Sequence, residues 1–356
     1  MISSDVITIT DPTPETVGKR GPLTRLCGKL IRNERDMPFI RLSLLLTVIF
    51  GGAAVYMFIP GNFRWWMAPV YWVLHIAFLG PFILMLHNVC HNTLFKPEYG
   101  LLNRYIPWII GIFLGQSPET YFVHHIGMHH TEGNLPDDLS STMQYQRDSF
   151  IDWARYAGRF LLLGNVQVYR YMKRRGRMRL ATRFVTGEAF FFALTVAALL
   201  WNWRAGLVVF VVPMLTTRIL LMVGNWAQHA FVDPEDPSND YRTVVTFINS
   251  PYNHRCFNDG YHLGHHLKPT RHWLDMPVDF LDKREEMIAQ QSLVFRKIDY
   301  FMIYVLLMFK RHRTLAGYFV NLDPDRPLSE DQVVALIKRR LRKFDGAQLA
   351  ALRSVA

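Results

Sequence analysis

Four long apolar runs, at approximately 42–60, 66–86, 184–203 and 207–224, constrain this 356-residue chain more than any other feature. A helix crossing a bilayer core of roughly 30 Å needs about 20 mostly apolar residues, and each run comes close to that length. Inside lipid every backbone N–H and C=O must be paired within the segment, so such runs are read as helices. The first two are separated by 61–65 and the last two by about 202–206, which predicts two transmembrane hairpins. Two shorter runs, 105–115 and 298–309, predict interfacial, re-entrant or buried helices instead.

Charge orients these spans. Of the 40 Lys and Arg, 7 precede the first run, 12 lie in 87–183 and 18 follow 224. Only Arg64 and Arg204 at the hairpin tips and Arg218 inside the fourth run fall elsewhere. The positive-inside rule makes the basic side cytoplasmic, with both termini on it. The net charge of +11 is then a matter of topology and anionic lipid, and no nucleic-acid partner is expected. Arg outnumbers Lys 30 to 10 and no retrieval tail is visible, favouring a bacterial inner membrane over endoplasmic reticulum. No cleavable signal peptide is read at the start, where 11–22 looks like a flexible polar tail.

The expected architecture is all-α: an integral membrane protein of four transmembrane helices in two hairpins, with the remaining helical parts on the cytoplasmic side. Its parts are a cytoplasmic tail (1–41), hairpin one (42–86), a cytoplasmic segment (87–183), hairpin two (184–224), a second cytoplasmic segment (225–285) and a C-terminal helical cap (286–356). In that last part Ser329–Gln332 is a capping box. It opens a helix with Val334, Ile337, Leu341 and Phe344 on one face, read as packed on the cytoplasmic domain or as a membrane-surface anchor. Pro213 is expected to kink the fourth span, and Arg218 to snorkel or meet a polar head.

The chemistry lies in the histidines. Among 14, nine fall in four tight cytoplasmic clusters, three of them close to a span or its continuation and the second in the central loop: His87 and His91; His125, His129 and His130; His229; His262, His265 and His266. Residues four apart on a helix share a face, so His87 with His91, Asn225 with His229, and His125 with His129 can each aim at one site. His124 is displaced by about 100° from His125 and is set aside. So are His75, read as a packed polar group, His312 in a basic run, and His254 and His272, which lack ligand spacing. Neutral imidazole suits Fe, Zn, Cu and Ni rather than Mg or Ca. Nine ligands exceed one four-coordinate zinc and fit two ions. Three cysteines cannot build a four-Cys zinc site or iron–sulfur cluster. Ligating imidazoles usually donate their second N–H to a carboxylate or carbonyl. Glu119, Glu132, Asp137, Asp138 and Asp259 lie within a few residues of a cluster and are the candidates.

The segments His87-Asn-Val-Cys-His91, His125-Ile-Gly-Met-His129-His130 and His262-Leu-Gly-His265-His266, in this order relative to four spans, resemble the three histidine boxes of the membrane fatty-acid desaturase and hydroxylase superfamily. Asn225-Trp-Ala-Gln-His229 resembles the N-x-x-x-H element of acyl desaturases. The likeness runs from about 40 to 280. It implies a helical cytoplasmic cap holding a histidine-rich dimetal site, a non-haem centre of two Fe ions with O2 as co-substrate, held by the nine histidines, with Asn225 bridged to one metal through water. The activity implied is desaturation of a fatty acyl chain. Hydroxylation or ketolation of an acyl chain, alkane, sphingoid or carotenoid shares the same boxes, and a non-enzymatic metal- or haem-binding membrane protein is the reading from another class.

A site at the membrane surface implies a lipid or acyl substrate. Trp65-Trp66, Tyr71-Trp72 and 105–113 are read as an aromatic belt or a channel lining. The chain lacks a dinucleotide fingerprint, a fused haem-binding segment and an iron–sulfur motif, so a separate electron carrier must dock, a ferredoxin or b-type cytochrome with its reductase. The basic cluster around Lys173, Arg174 and Arg175 is one possible surface for it, or for anionic lipid.

Overall fold

The computed structural model describes residues 7–16 and 22–355. Part of the expected polar tail, 17–21, therefore lies outside the described residues. Four helices are long and apolar enough to cross a membrane: Glu34–Phe58, Met67–His91, Met178–Trp201 and Trp203–Gln228. Each covers most of one expected run. Residues 59–66 join the first two, and Asn202 alone separates the last two. The chain divides into two compact units, a span unit of 17–127 and 166–220 and a strand unit of 1–16, 128–165 and 221–356.

In the span unit three helices contain a wide π turn, at Thr47–Gly51, Ile106–Ile110 and Leu207–Val211. The last is followed by the α-helical remainder of its span, which begins at Val212 with Pro213 as its second residue. Proline lacks an N–H and crowds the carbonyl one turn back, so a π turn at that point is a physical way to take up the interruption. The short run at 105–115 is a buried helix rather than a span. Tyr71 donates its hydroxyl to Phe113 O (2.8 Å) and Thr217 donates to Leu114 O (2.6 Å). Gly115 then turns the chain at φ +74°, and a Cβ there would stand 2.3 Å from the Pro213 carbonyl, so only glycine permits the approach. His75 is buried as a packed polar group beside Thr217 Oγ1 (3.4 Å). Because the Thr217 proton goes to Leu114 O, His75 is the donor in that pair.

Arg218 does not snorkel but pairs with an acid of the neighbouring span. Its Nη2 lies 2.7 and 2.9 Å from the two carboxylate oxygens of Glu188 in the third span. A charge at membrane depth is costly alone, and a carboxylate one helix away relieves it better than a stretched side chain does. Trp65 and Trp66 are exposed at the connection between the first two spans, as an aromatic belt would be, whereas Trp72 donates to Val208 O (3.2 Å).

The strand unit contains one short parallel pair, Thr246–Ile248 with Val294–Arg296. Beside it a core of Val244, Ile248, Tyr261, Leu263, Met276, Phe280 and Val294 takes in Ile7 and Ile9 from the N-terminal stretch. The C-terminal tail is built into this unit. Ser329 caps the helix Glu330–Arg340 with both bonds of the capping box in place. The buried face is Val333, Ile337, Leu341 and Phe344, one residue earlier at its start than the sequence pattern suggests. Arg147, wholly buried, donates Nε to Ala230 O (2.8 Å) and Nη2 to Arg340 O (3.0 Å) and Arg342 O. Burial pushes its guanidinium down to about 9. Arg340 pairs with buried Asp233 (3.0 Å). These buried arginines tie the tail to the backbone just after His229. His312 does not belong to a basic surface: it is buried, with Nε2 3.0 Å from Asp148 Oδ2.

Candidate metal centre

The second span stays helical through His91, which places His87 and His91 on adjacent turns of one face. A π turn, His125–His129, carries the second box. This changes the expected geometry. In a regular helix His125 and His129 share a face, but the wider turn separates their roles. In the span unit His125 joins His87 and His91, with ring centroids 4.5 and 5.1 Å away. Its Nε2 stands 3.1 Å from Nε2 of His91. In the strand unit His129 joins His229 and His266. π turns recur at functional sites for this reason, since one extra residue re-aims a side chain.

Within the strand unit the candidate ligand atoms of His129, His229 and His266 lie within 4.8 Å of one another. His262 adds a ring 4.8 Å from His266 and 5.5 Å from His229. His130 Nε2 faces His265 Nε2 at 2.9 Å. Two nitrogens bound to one ion at about 2.1 Å and near 90° stand roughly 3 Å apart, so this spacing and that of His91 with His125 suit a shared ion. His229 is 1% exposed, and neither of its ring nitrogens has a hydrogen-bond partner. Such an orphaned buried imidazole is costly unless something fills the space between the rings. Burial, reinforced by His129 and His266, pushes it well below the ordinary histidine range, holding it neutral as a ligand must be. The donor set therefore fits a transition metal.

Two carboxylates orient these rings. Asp138 Oδ2 accepts from His129 Nδ1 (2.7 Å) and is itself fixed by Ser140 N–H (2.8 Å) and Ser140 Oγ (2.6 Å) on its other oxygen. Asp240 Oδ1 stands 3.2 Å from His266 Nδ1, while His266 Nε2 has no partner. Burial alone would raise the Asp240 carboxyl; the His266 hydrogen bond and charge outweigh it and lower it. Each ring is thereby oriented through Nδ1, the arrangement usual for a ligating imidazole.

Of the five acids proposed by proximity, Asp138 is brought to a box histidine by this direct bond. Glu119 instead receives Trp108 Nε1 (2.7 Å) and pairs with Arg183. Asp137 is exposed beside Arg353 (3.4 Å). Asp259 receives the Tyr252 hydroxyl (2.9 Å) and the Gln228 amide (3.4 Å). Glu132 is buried just after the second box. Asp240 was missed, because it lies 26 residues before His266 with no local signal. Asn225 commits its Nδ2 to Ser140 O (2.9 Å) and the Tyr156 hydroxyl (2.7 Å). His272 caps the turn Trp273–Asp275, and His254 is exposed.

A cavity of about 700 Å³ opens in the span unit, lined among others by Leu86, Cys90, Trp108, Tyr121 and Phe122, with Arg104 and Arg183 also on its wall. Tyr121 stacks on His125 at 5.3 Å, so one wall of the cavity backs onto the histidines of that unit. Glu119 lines it from a left-handed backbone (φ 65°), a conformation seldom kept by a non-glycine residue without reason.

No curated protein sequence matches the chain. The sequence profile of one family, Fatty acid desaturase, matches residues 63–290, well over half of the chain, and that stretch includes every histidine of the three boxes together with His229. With four membrane-capable helices and histidine groups able to hold metal, this integral membrane protein belongs to the fatty acid desaturase family, the membrane desaturase and hydroxylase superfamily of oxidoreductases.

Proposed function

We propose that the chain is an oxygen-dependent acyl-lipid desaturase that removes two hydrogens from adjacent methylenes at a centre of two iron ions. The observation carrying this reading is the set of buried His129 and His229 with half-buried His266, with a carboxylate behind two of its rings and both nitrogens of His229 unpartnered. His87, His91, His125, His129, His130, His229, His262, His265 and His266 would hold the metal, and Asn225 would act through a water. Bound iron would supply the oxygen activation that an unactivated C–H bond requires, which redox-inert zinc cannot.

The chain's own residues do the positioning. Asp138 and Asp240 fix the tautomers of His129 and His266, leaving Nε2 lone pairs for the metal. The cavity beside Tyr121 and His125 suits the chain of a lipid, with Leu86, Trp108 and Phe122 against methylenes and Arg104 and Arg183 near a polar head. The basic side of the molecule faces the cytoplasm in this reading, where a ferredoxin or b-type cytochrome delivers two electrons per turnover, and a bacterial inner membrane is the favoured location.

Lipid profiling of an aerated host expressing the chain tests the function. Products lighter by two hydrogens support desaturation, and products heavier by one oxygen atom assign it to hydroxylation instead. Unchanged lipids from protein that is iron-loaded and supplied with a competent electron donor would overturn both. Metal analysis should find about two iron per chain; active protein with one zinc and no iron refutes the centre.

A further inference from the structure

Residues 7–16 precede the stretch matched by the family, yet they contribute a buried carboxylate to the strand unit. Asp11 is 1% exposed. Its Oδ2 accepts from Asn249 N–H (2.6 Å), Asn253 Nδ2 (3.0 Å) and the Tyr261 hydroxyl (2.7 Å), and its Oδ1 from Ser250 N–H (3.2 Å). All four are uncharged donors, and all belong to the segment leading into the third histidine box.

That segment cannot hold its shape by local preference. Asn249, Phe257 and Asn258 all have left-handed backbones, at φ 54°, 53° and 56°. Asparagine tolerates this; a bulky phenylalanine does so only when its surroundings over-determine it. Asp11 reaches the box by two routes. Tyr261 directly precedes His262 and packs in the same core as Ile7, Ile9 and Leu263. Asn253, while donating to Asp11, accepts the N–H of Gly260 (2.9 Å), where a Cβ would lie 2.4 Å from its Oδ1. The next residue of the strap, Pro12, takes a bond from Asn258 Nδ2 (2.7 Å).

We propose that the N-terminal stretch is a strap whose Asp11 positions the helix His262–Leu267, and with it His262, His265 and His266, for metal binding. The inference rests on the reading of these three as ligands. Asp11 touches none of them, so it is a positioning residue acting through Tyr261 and the Asn253–Gly260 bond. Replacement by Asn turns an NH2 toward a cradle made only of donors, so at least one bond is lost and two N–H groups oppose each other.

The test uses full-length, metal-free protein in detergent, titrated with Co(II) and followed by its visible absorption, which reports ligand number and geometry. Asp11→Asn and deletion of residues 2–13 should weaken Co(II) binding about tenfold, at the lower end of the effect of removing a ligand's own hydrogen-bond partner, and should shift the absorption band. Should Asp11→Asn not fold, Tyr261→Phe, which keeps the ring and drops only the hydroxyl, decides by the same readout. Ser329→Ala, which removes a remote helix cap, should lower the melting temperature and leave Co(II) affinity and spectrum unchanged. Wild-type affinity and spectrum in the Asp11 and Tyr261 variants overturn the proposal, as does an equal loss in Ser329→Ala, which would make the effect one of general destabilisation. Wild-type protein that takes up no Co(II) overturns the metal reading and the proposal with it.

Discussion

Asp138→Asn probes the centre at a point where the geometry sets the size of the effect. Asp138 is 3% exposed, and every partner it has among the bonds described above is a donor: His129 Nδ1 on Oδ2, and the Ser140 N–H and hydroxyl on Oδ1, with Asn134 N–H joining Oδ2 at 3.2 Å. An asparagine must turn its NH2 toward one side or the other. If it faces His129, the imidazole can keep the bond only by making Nδ1 an acceptor. The proton then moves to Nε2, the nitrogen needed for the metal. If it faces Ser140, a buried N–H is orphaned instead. A buried hydrogen bond to a charged group contributes about 1.5–3 kcal/mol, or roughly 10- to 150-fold at about 1.4 kcal/mol per decade. Losing the partner of a ligating histidine costs about 10–100-fold in metal affinity, which agrees. We expect Asp138→Asn to weaken Fe(II) or Co(II) binding by 10–100-fold in competition with a chromophoric chelator. Asp137→Asn, one residue away but exposed beside Arg353, should change it less than about twofold. Equal metal affinities for Asp138→Asn and wild type, or an equal loss at position 137, would refute the reasoning.

Alanine at His229 should cost as much iron and turnover as alanine at His265, and a His229→Ala protein with full iron would reduce the ligand set to eight. Alanine at His125 should abolish turnover and alanine at His124 leave most of it; the reverse would move the ligand. Asn225→Ala should retain metal better than His229→Ala while losing most activity, and full activity would remove its proposed role through water. Arg218→Leu removes the Arg218–Glu188 ion pair between spans, which should lower stability by about 3–5 kcal/mol in detergent. Adding Glu188→Gln should recover much of that, and no recovery would deny the pairing its role. For pH, burial holds His229 well below the ordinary value of about 6.5, so the folded metal-free protein binds fewer protons than the unfolded chain in acid. Stability should therefore fall as pH drops below about 6.5, with His229 contributing about 1.4 kcal/mol per pH unit until its folded-state value is reached. His229→Gln should flatten that slope, and an unchanged slope would contradict the assignment.

Much of this protein is legible along the chain because lipid imposes a local rule. A run such as 66–86 must satisfy its own backbone, so span, helix and the phase of His87 with His91 follow from sequence alone. The Ser329–Gln332 cap was equally local, and the structure forms both of its bonds. Clustered imidazoles likewise point to a metal site, and the structure brings His129, His229 and His266 into a group that could hold one. What the chain alone could not decide is which groups stand behind them. Proximity picked out Asp138, which the structure bonds to His129, but it also picked out Glu119, whose carboxylate faces Trp108 and Arg183, and passed over Asp240, which stands at His266. The partner of Arg218 had to be found 30 residues away in another span, and that of Asp11 as far as 250 residues away at Tyr261. The π turn at His125–His129 had the same effect at short range, sending two histidines of one box to different neighbours. Helical period and hydropathy depend on a few adjacent residues. A buried carboxylate's partner depends on which donors packing brings within 3 Å of it, and only the tertiary structure decided that.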